Sequence, residues 1–376
     1  MPDPRKRGAL LGAVFLMATS AIGPGFVTQT AVFTSALGFD FAFAILLSIL
    51  VDVAVQANVW RVLGVARQRG PELATSLVPG LGTALTLLVA AGGFVFNVGN
   101  IAGCGLGLEV LGVNAALGAA LSAVVSLVLL GVPAAGTWTD RFVKVLGLLM
   151  LVLTAAVMLR ASPDYAAAAR GAVLPQRIEL LPVLTLIGGT VGGYITFAGV
   201  HRLIDAGIGG AEDVGPLTRA AVLGILVTGA MRVLLFLAVL GVLGQGGLLD
   251  PGNPMASAFR LGAGEWGYRF FGIVLWAAAI TSVVGCSYTT LSFLRSLHSA
   301  VGRNARSVLA AFILGSLVVY LFVGRPVRLL VLAGALNGSS CRRRWVSSWS
   351  PRAARSSWAR TSIPSCWSWP AGSRGS

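Results

Sequence analysis

Charged side chains are scarce in this 376-residue chain. Asp, Glu, Lys and Arg make up 11% of it, while 56% is hydrophobic and the mean hydropathy is +0.84. Soluble domains average about 25% charged residues. The chain therefore lacks the polar surface that water requires and that lipid makes unnecessary. No long polar stretch marks a soluble domain before residue 339. No Ser–His, paired-Asp or His-cluster constellation falls within the apolar runs, so an enzyme is not expected. The four cysteines, Cys104, Cys286, Cys341 and Cys366, have no spacing that suggests a metal site or a disulfide framework. No cofactor is expected. The net charge of +15 overstates the basic character, because residues 339–376 hold seven arginines and no acid. The rest is spread over loops, which suits anionic lipid and gives no nucleic-acid signature.

What is present is a succession of apolar runs. A membrane span needs about 20 such residues. The runs predict spans over 10–36, 40–63, 80–111, 114–133, 142–160, 180–202, 216–244, 267–298 and 307–323, with a fragment from 327. Arg5, Lys6 and Arg7 precede the first run, as in a signal peptide. That run continues past any small-residue cleavage site and many others follow, so the cluster is read as a cytoplasmic anchor. With the N-terminus inside, thirteen Lys and Arg fall in inside segments and seven outside, with Arg232 left within a span. This bias supports an N-terminus in the cytoplasm, and the expected location is a prokaryotic plasma membrane. Three arginines near the 161–179 loop run against it.

The tail differs from everything before it. Five of the nine tryptophans fall within 339–376, among Arg, Ser and Pro. The apolar run from Pro326 stops at Gly338, a length of only about 20 Å as a helix against a hydrocarbon core of roughly 30 Å. The expectation is a truncated last helix followed by a shifted reading frame. The alternative is a genuine Arg/Trp-rich tail lying on the membrane surface.

Two spans carry helix-breaking clusters. The first contains Gly23-Pro24-Gly25-Phe26, followed by Thr28, Gln29 and Thr30. Proline removes a backbone donor and clashes with the preceding turn. The sixth contains Gly188-Gly189-Thr190-Val191-Gly192-Gly193-Tyr194, where each glycine costs about 1 kcal/mol against alanine in a helix. These are the first spans of two sets of five. Matching breaks in two halves point to an inverted-repeat transporter with substrate at the breaks. The competing explanation is tight small-residue helix packing.

Polar residues at membrane depth are the other candidates. Asp52 and Gln56 lie one turn apart in the second span, and Arg232 lies in the seventh. Asp52 and Arg232 are the obvious ion pair, in either a structural or a coupling role. Asn97 and Asn100 share one side of the third span. Glu109 reads as interfacial, and His201 and His298 as solvated at cytoplasmic helix ends.

These features resemble the NRAMP family of divalent-metal transporters over roughly residues 8–336. Gly23-Pro24-Gly25-Phe26 stands where that family has Asp-Pro-Gly-Asn, and Gly192-Gly193-Tyr194 where it has Met-Pro-His. Asn97-Val-Gly-Asn100 looks like the family's acidic pair one turn apart, with both acids now Asn. The Asp140-Arg141-Phe142 and Thr281-Ser282-Val-Val-Gly285 stretches are similar too. The resemblance implies an all-α polytopic membrane protein with a LeuT-like inverted repeat of five plus five helices. Helices 1 and 6 would be discontinuous, with the halves at about 8–161 and 178–338.

It also implies secondary-active transport of a divalent metal cation between the broken helices. The family's Asp, Asn and Met ligands are absent here. A carboxylate supplies most of the attraction for a divalent cation, and a thioether selects transition metals. What remains is backbone carbonyls with Thr28, Gln29, Thr190 and Tyr194. Such a set would suit a hydrated cation such as Mg²⁺ or a small neutral or zwitterionic solute; a non-transporting membrane protein is the further alternative. Composition is silent on oligomeric state.

Overall fold

The computed structural model describes residues 4–131, 135–297, 299–324 and 326–348. Among these residues the chain is all helix, with no strand. The first span is two helices, α1 (Pro4–Ala21) and α2 (Pro24–Leu37). One 3₁₀ turn, Gly38–Asp40, leads into α3 (Phe41–Ala66), followed by the short α4 (Gly70–Leu77). Long helices α5 (Leu81–Glu109), α6 (Ala115–Gly131) and α7 (Ala135–Ala161) come next. The short α8 (Tyr165–Val173) follows. A second broken span, α9 (Leu180–Val191) and α10 (Ile195–Asp205), is followed by α11 (Val214–Gly244) and α12 (Pro254–Leu294). The short α13 (Ser299–Arg303), α14 (Ala305–Val323) and α15 (Pro326–Ser348) close the described chain.

Among the described residues, six helical stretches are long and apolar enough to cross a membrane by length and composition, one of them joining α2 to α3. The fold is inverted relative to a soluble one. Leu50, Val128, Leu148 and Leu159 are exposed on the outside, while Gln29, Asp52, Gln56, Asn97 and Arg232 are buried. Only lipid covers such a surface at low cost.

The first break is narrower than the run Gly23–Phe26. Gly23 is the extended N-cap of α2 (φ −106°, ψ −175°), and Pro24 is its first helical residue. Proline suits that position because its missing N–H would have no partner there. Gly25 and Phe26 therefore belong to the first turn of α2, and only Ile22 and Gly23 are non-helical. In the second break, Gly192 is extended and Gly193 has φ +56°. Gly188 and Gly189 stay helical.

Three other expectations change. The stretch called α12 is two helices separated at Gly264 (φ +69°, ψ −167°), so the span expected from 267 begins close to that break, and a separate helical stretch from Pro254 precedes it, with Asn253 Oδ1 accepting from Ala256 N at 3.4 Å. That stretch reads as loop because of Arg260 and Glu265, which pair with each other at 2.5 Å on the exposed side. The 161–179 loop holds α8, which lies at 108° to α7 and is capped by Asp164. The last helix does not stop at Gly338. The apolar run ends there, but the helix continues to Ser348. The tail beyond it, His298, and the side chains of Asp140, Arg141 and Phe142 lie outside the described residues.

Glycines set the closest helix contacts, as expected where lipid offers no hydrophobic drive. A Cβ at Gly103 would overlap the Pro24 ring, and one at Gly188 would overlap the backbone of Gly334 and Gly338 on α15. The second broken span is thereby seated directly on the last helix.

Candidate functional site

Both breaks open toward buried polar side chains from α3, α5, α11, α12 and α15. At the first break, a Cβ on Gly23 would lie 3.3 Å from Ser282 Oγ and 3.6 Å from Asn100 Oδ1. One turn into α2, Gln29 Nε2 donates to Leu330 O of α15 at 2.8 Å, and its Oε1 has no partner. Gly25 sits against the same Leu330 carbonyl. Thr28 is buried. Thr30 Oγ1 donates back to Phe26 O at 2.8 Å, within its own helix.

At the second break, Tyr194 is buried with Phe96 edge-on at 6.0 Å. Its hydroxyl lies within reach of Asn100 and Cys286. The left-handed Gly193 is packed between Asn337 Oδ1 and the Phe96 ring. Asn337 Nδ2 donates to Gly92 O at 3.2 Å and Ala333 O at 2.9 Å. Asn97 Nδ2 donates to Ser316 Oγ at 3.1 Å, and its Oδ1 has no partner. Thus Asn97 faces α14 while Asn100 faces the breaks.

Between the breaks sits a buried pair of opposite charges. Asp52 is 1% exposed and Arg232 2%. The expected ion pair is not formed as a direct contact. Arg232 Nη1 donates instead to Thr190 Oγ1 at 3.1 Å, and Thr190 in turn donates to Leu186 O at 2.9 Å. Thr190 also stands beside Asp52, and the two charges interact through space. The guanidinium carbon stands 4.1 Å from the Phe26 ring centroid, a cation–π contact. Arg232 therefore touches both broken spans, α2 through Phe26 and α9 through Thr190. Arg232 Nε and Nη2, Asp52 Oδ1 and both amide atoms of Gln56 have no partner. Buried polar atoms are rarely left so.

Several residues at the breaks were not singled out from sequence. Sequence marks Ser282 and Cys286 only within a family-like stretch and as a cysteine, but with Thr290 they follow one another at four-residue spacing on α12, a polar stripe that was legible. Asn337 lies in the run read as a fragment. His201 corrects an expectation: it is only 6% exposed, between Phe197 and Phe293, with Nε2 accepting from Gly70 N at 3.4 Å. A helix end next to α4 and α12 is not a solvated end. Glu109 is exposed at the end of α5. Among the described residues, no group of three or more His, Cys, Asp or Glu is placed to hold a metal ion.

A family model described as natural resistance-associated macrophage protein-like (Nramp) matches residues 14–340. The chain belongs to the Nramp-like family. This Nramp-like chain is 48% identical over 330 residues to the uncharacterized membrane protein YcsG of Bacillus subtilis, covering 88% of itself and 82% of that protein. It is 46% identical over 334 residues to an uncharacterized membrane protein of Haemophilus influenzae, covering 89% and 84%. Its fold is similar to the Eremococcus coleocola manganese transporter bound to an aromatic bis-isothiourea compound, with TM-score 0.62, 15% identity and coverage of 89% and 76%. A point mutant of that transporter matches with TM-score 0.60 at 14% identity, covering 96% of this chain and 93% of its own. The Nramp-like chain is therefore a multi-pass integral membrane protein of LeuT-like fold, with bacterial relatives.

Proposed function

We propose that this Nramp-like chain is a secondary-active transporter of a prokaryotic plasma membrane whose cargo is a small organic solute. The carrying observation is Arg232, held between Phe26 of one broken span and Thr190 of the other. With Asp52 matched by Arg232, the midplane has no net charge to offset a bare divalent cation, and no thioether or carboxylate stands at Gly23, Phe26 or Gly192–Tyr194. The family's metal-cation cargo therefore finds little here to replace its hydration shell. Unpartnered amides, hydroxyls and a guanidinium suit a solute that brings its own donors and acceptors.

The proposal includes an inverted repeat, with halves at about 8–161 and 178–338, each opening on a broken span. In that design non-helical backbone lines the cavity and one half rocks against the other. Uptake into proteoliposomes tests the reading, comparing Mn²⁺, Mg²⁺ and a panel of amino acids. Uptake of an organic solute with neither cation entering nor competing is expected. Saturable Mn²⁺ uptake would overturn the choice of cargo. Replacing Gly23→Asp and Phe26→Asn together, which restores two family ligands, is expected to create Mn²⁺ binding that the native chain lacks.

A further inference from the structure

We infer that Arg232 and Asp52 recognise the two ends of a small zwitterion, a deepening that rests on the transporter reading above. The carboxylate of the solute sits on the free edge of Arg232, and its ammonium group on Asp52. The two charges do not pair with each other directly. A direct, well-hydrogen-bonded ion pair is the least costly arrangement of two buried charges. Here Arg232 spends only Nη1, on Thr190, and Asp52 Oδ1 has no partner. The two groups left over, Nε and Nη2, share one edge of the guanidinium. That edge takes a carboxylate bidentately. Phe26 covers the face of the group, so a ligand meets it edge-on.

Location and charge support the same assignment. Phe26 lies in the first turn of α2, whose N-terminal end carries partial positive charge and favours an anionic group. Gln56, one turn along α3 from Asp52, offers an amide whose nitrogen and oxygen are both unpartnered. A zwitterion adds no net charge to a neutral Asp–Arg pair in a medium where uncompensated charge is costly. A carboxylate alone, or an amine alone, would leave the site charged.

Binding to the full chain in nanodiscs tests this, read as thermal stabilisation and by calorimetry. The probes are glycine, alanine, valine and phenylalanine, each beside the carboxylate lacking its amino group and the amine lacking its carboxyl group. At least one amino acid is expected to bind at least tenfold more tightly than both of its partners. R232K, which keeps the charge and loses the fork, is expected to weaken that binding at least tenfold. D52N is expected to erase the preference for the amino acid over its carboxylate. The unliganded melting temperature of each variant reports whether it is folded, and Gln56→Leu gives a second variant that removes no charge and is expected to weaken binding. Equal binding of an amino acid and its carboxylate, indifference of binding to R232K, or no binding by any probe would overturn the inference. The transporter reading fails separately. An amino acid that binds but is not accumulated in proteoliposomes sinks transport and leaves the site standing. Uptake of an uncharged solute without amino acid binding does the reverse.

Discussion

Thr190 holds the hydrogen bond that Asp52 does not. A single hydroxyl accepts from Arg232 Nη1 and donates to Leu186 O, so an isosteric Thr190→Val change leaves a third guanidinium nitrogen unpartnered. The expected loss is about 1–3 kcal/mol, read from denaturation in detergent, with a matching fall in solute binding. Gly193 is the second residue whose identity is dictated locally. Its φ of +56° is open to glycine and strained for alanine, and a Cβ would come 2.9 Å from Asn337 Oδ1. Gly193→Ala is expected to cost roughly 1 kcal/mol or more and to slow transport, measured as initial uptake rate against unchanged membrane insertion. At this scale the sequence showed which residues mattered and not whom they bond. Isolated charges in apolar runs announce themselves, which is why Asp52 and Arg232 were legible. Their partner came from a helix more than forty positions away from Arg232. His201 misled for the same reason, since nothing local to α10 reveals that Phe293 lies over it.

Breaks, unlike partners, are a property of one element, and they were readable because glycine and proline act on their own backbone. What local reading blurred was the division of labour inside each cluster. Pro24 does not interrupt a helix here but starts one, while Gly188 does not unwind α9 but lets α15 approach it, and Gly189 makes room for the Gln29 side chain of α2. Gly188→Ala places a methyl group on the carbonyl of Gly334 and the amide of Gly338. Backbone cannot swing aside as a side chain can, so a loss of about 1–3 kcal/mol is expected, measured by thermal unfolding. Gly8→Ala, where a Cβ would meet nothing, serves as the neutral comparison. The helical stretch from Pro254 to the break at Gly264 and the helices α4 and α8 escaped the sequence because they are short or charged. Their helicity comes from caps such as Asn253 and Asp164 rather than from an apolar period.

For the molecule as a whole, ion pairs gather on the side where the chain begins. Lys6 of α1 pairs with Asp213 before α11, Arg67 with Glu212, and Arg69 with Asp205 at the end of α10. They differ in weight. Arg67 and Glu212 are more than half exposed, so Glu212→Gln is expected to change stability by no more than about 1 kcal/mol. The Asp213 side chain is only 5% exposed and also accepts from Gly209 N at 3.1 Å, so Asp213→Ala is expected to cost about 1–3 kcal/mol. Parallel denaturation of the two variants checks the order. The hydrogen bond from Gln29 to Leu330 O sets a different kind of constraint, because it joins residues 301 positions apart. At roughly 5–20 residues per second, a ribosome takes about 15–60 s to travel from one to the other. Throughout that interval the nascent first span carries an amide that has no native partner in lipid. Biogenesis of this protein therefore has a waiting period built into it, which ends only when the last helix leaves the insertion machinery and docks.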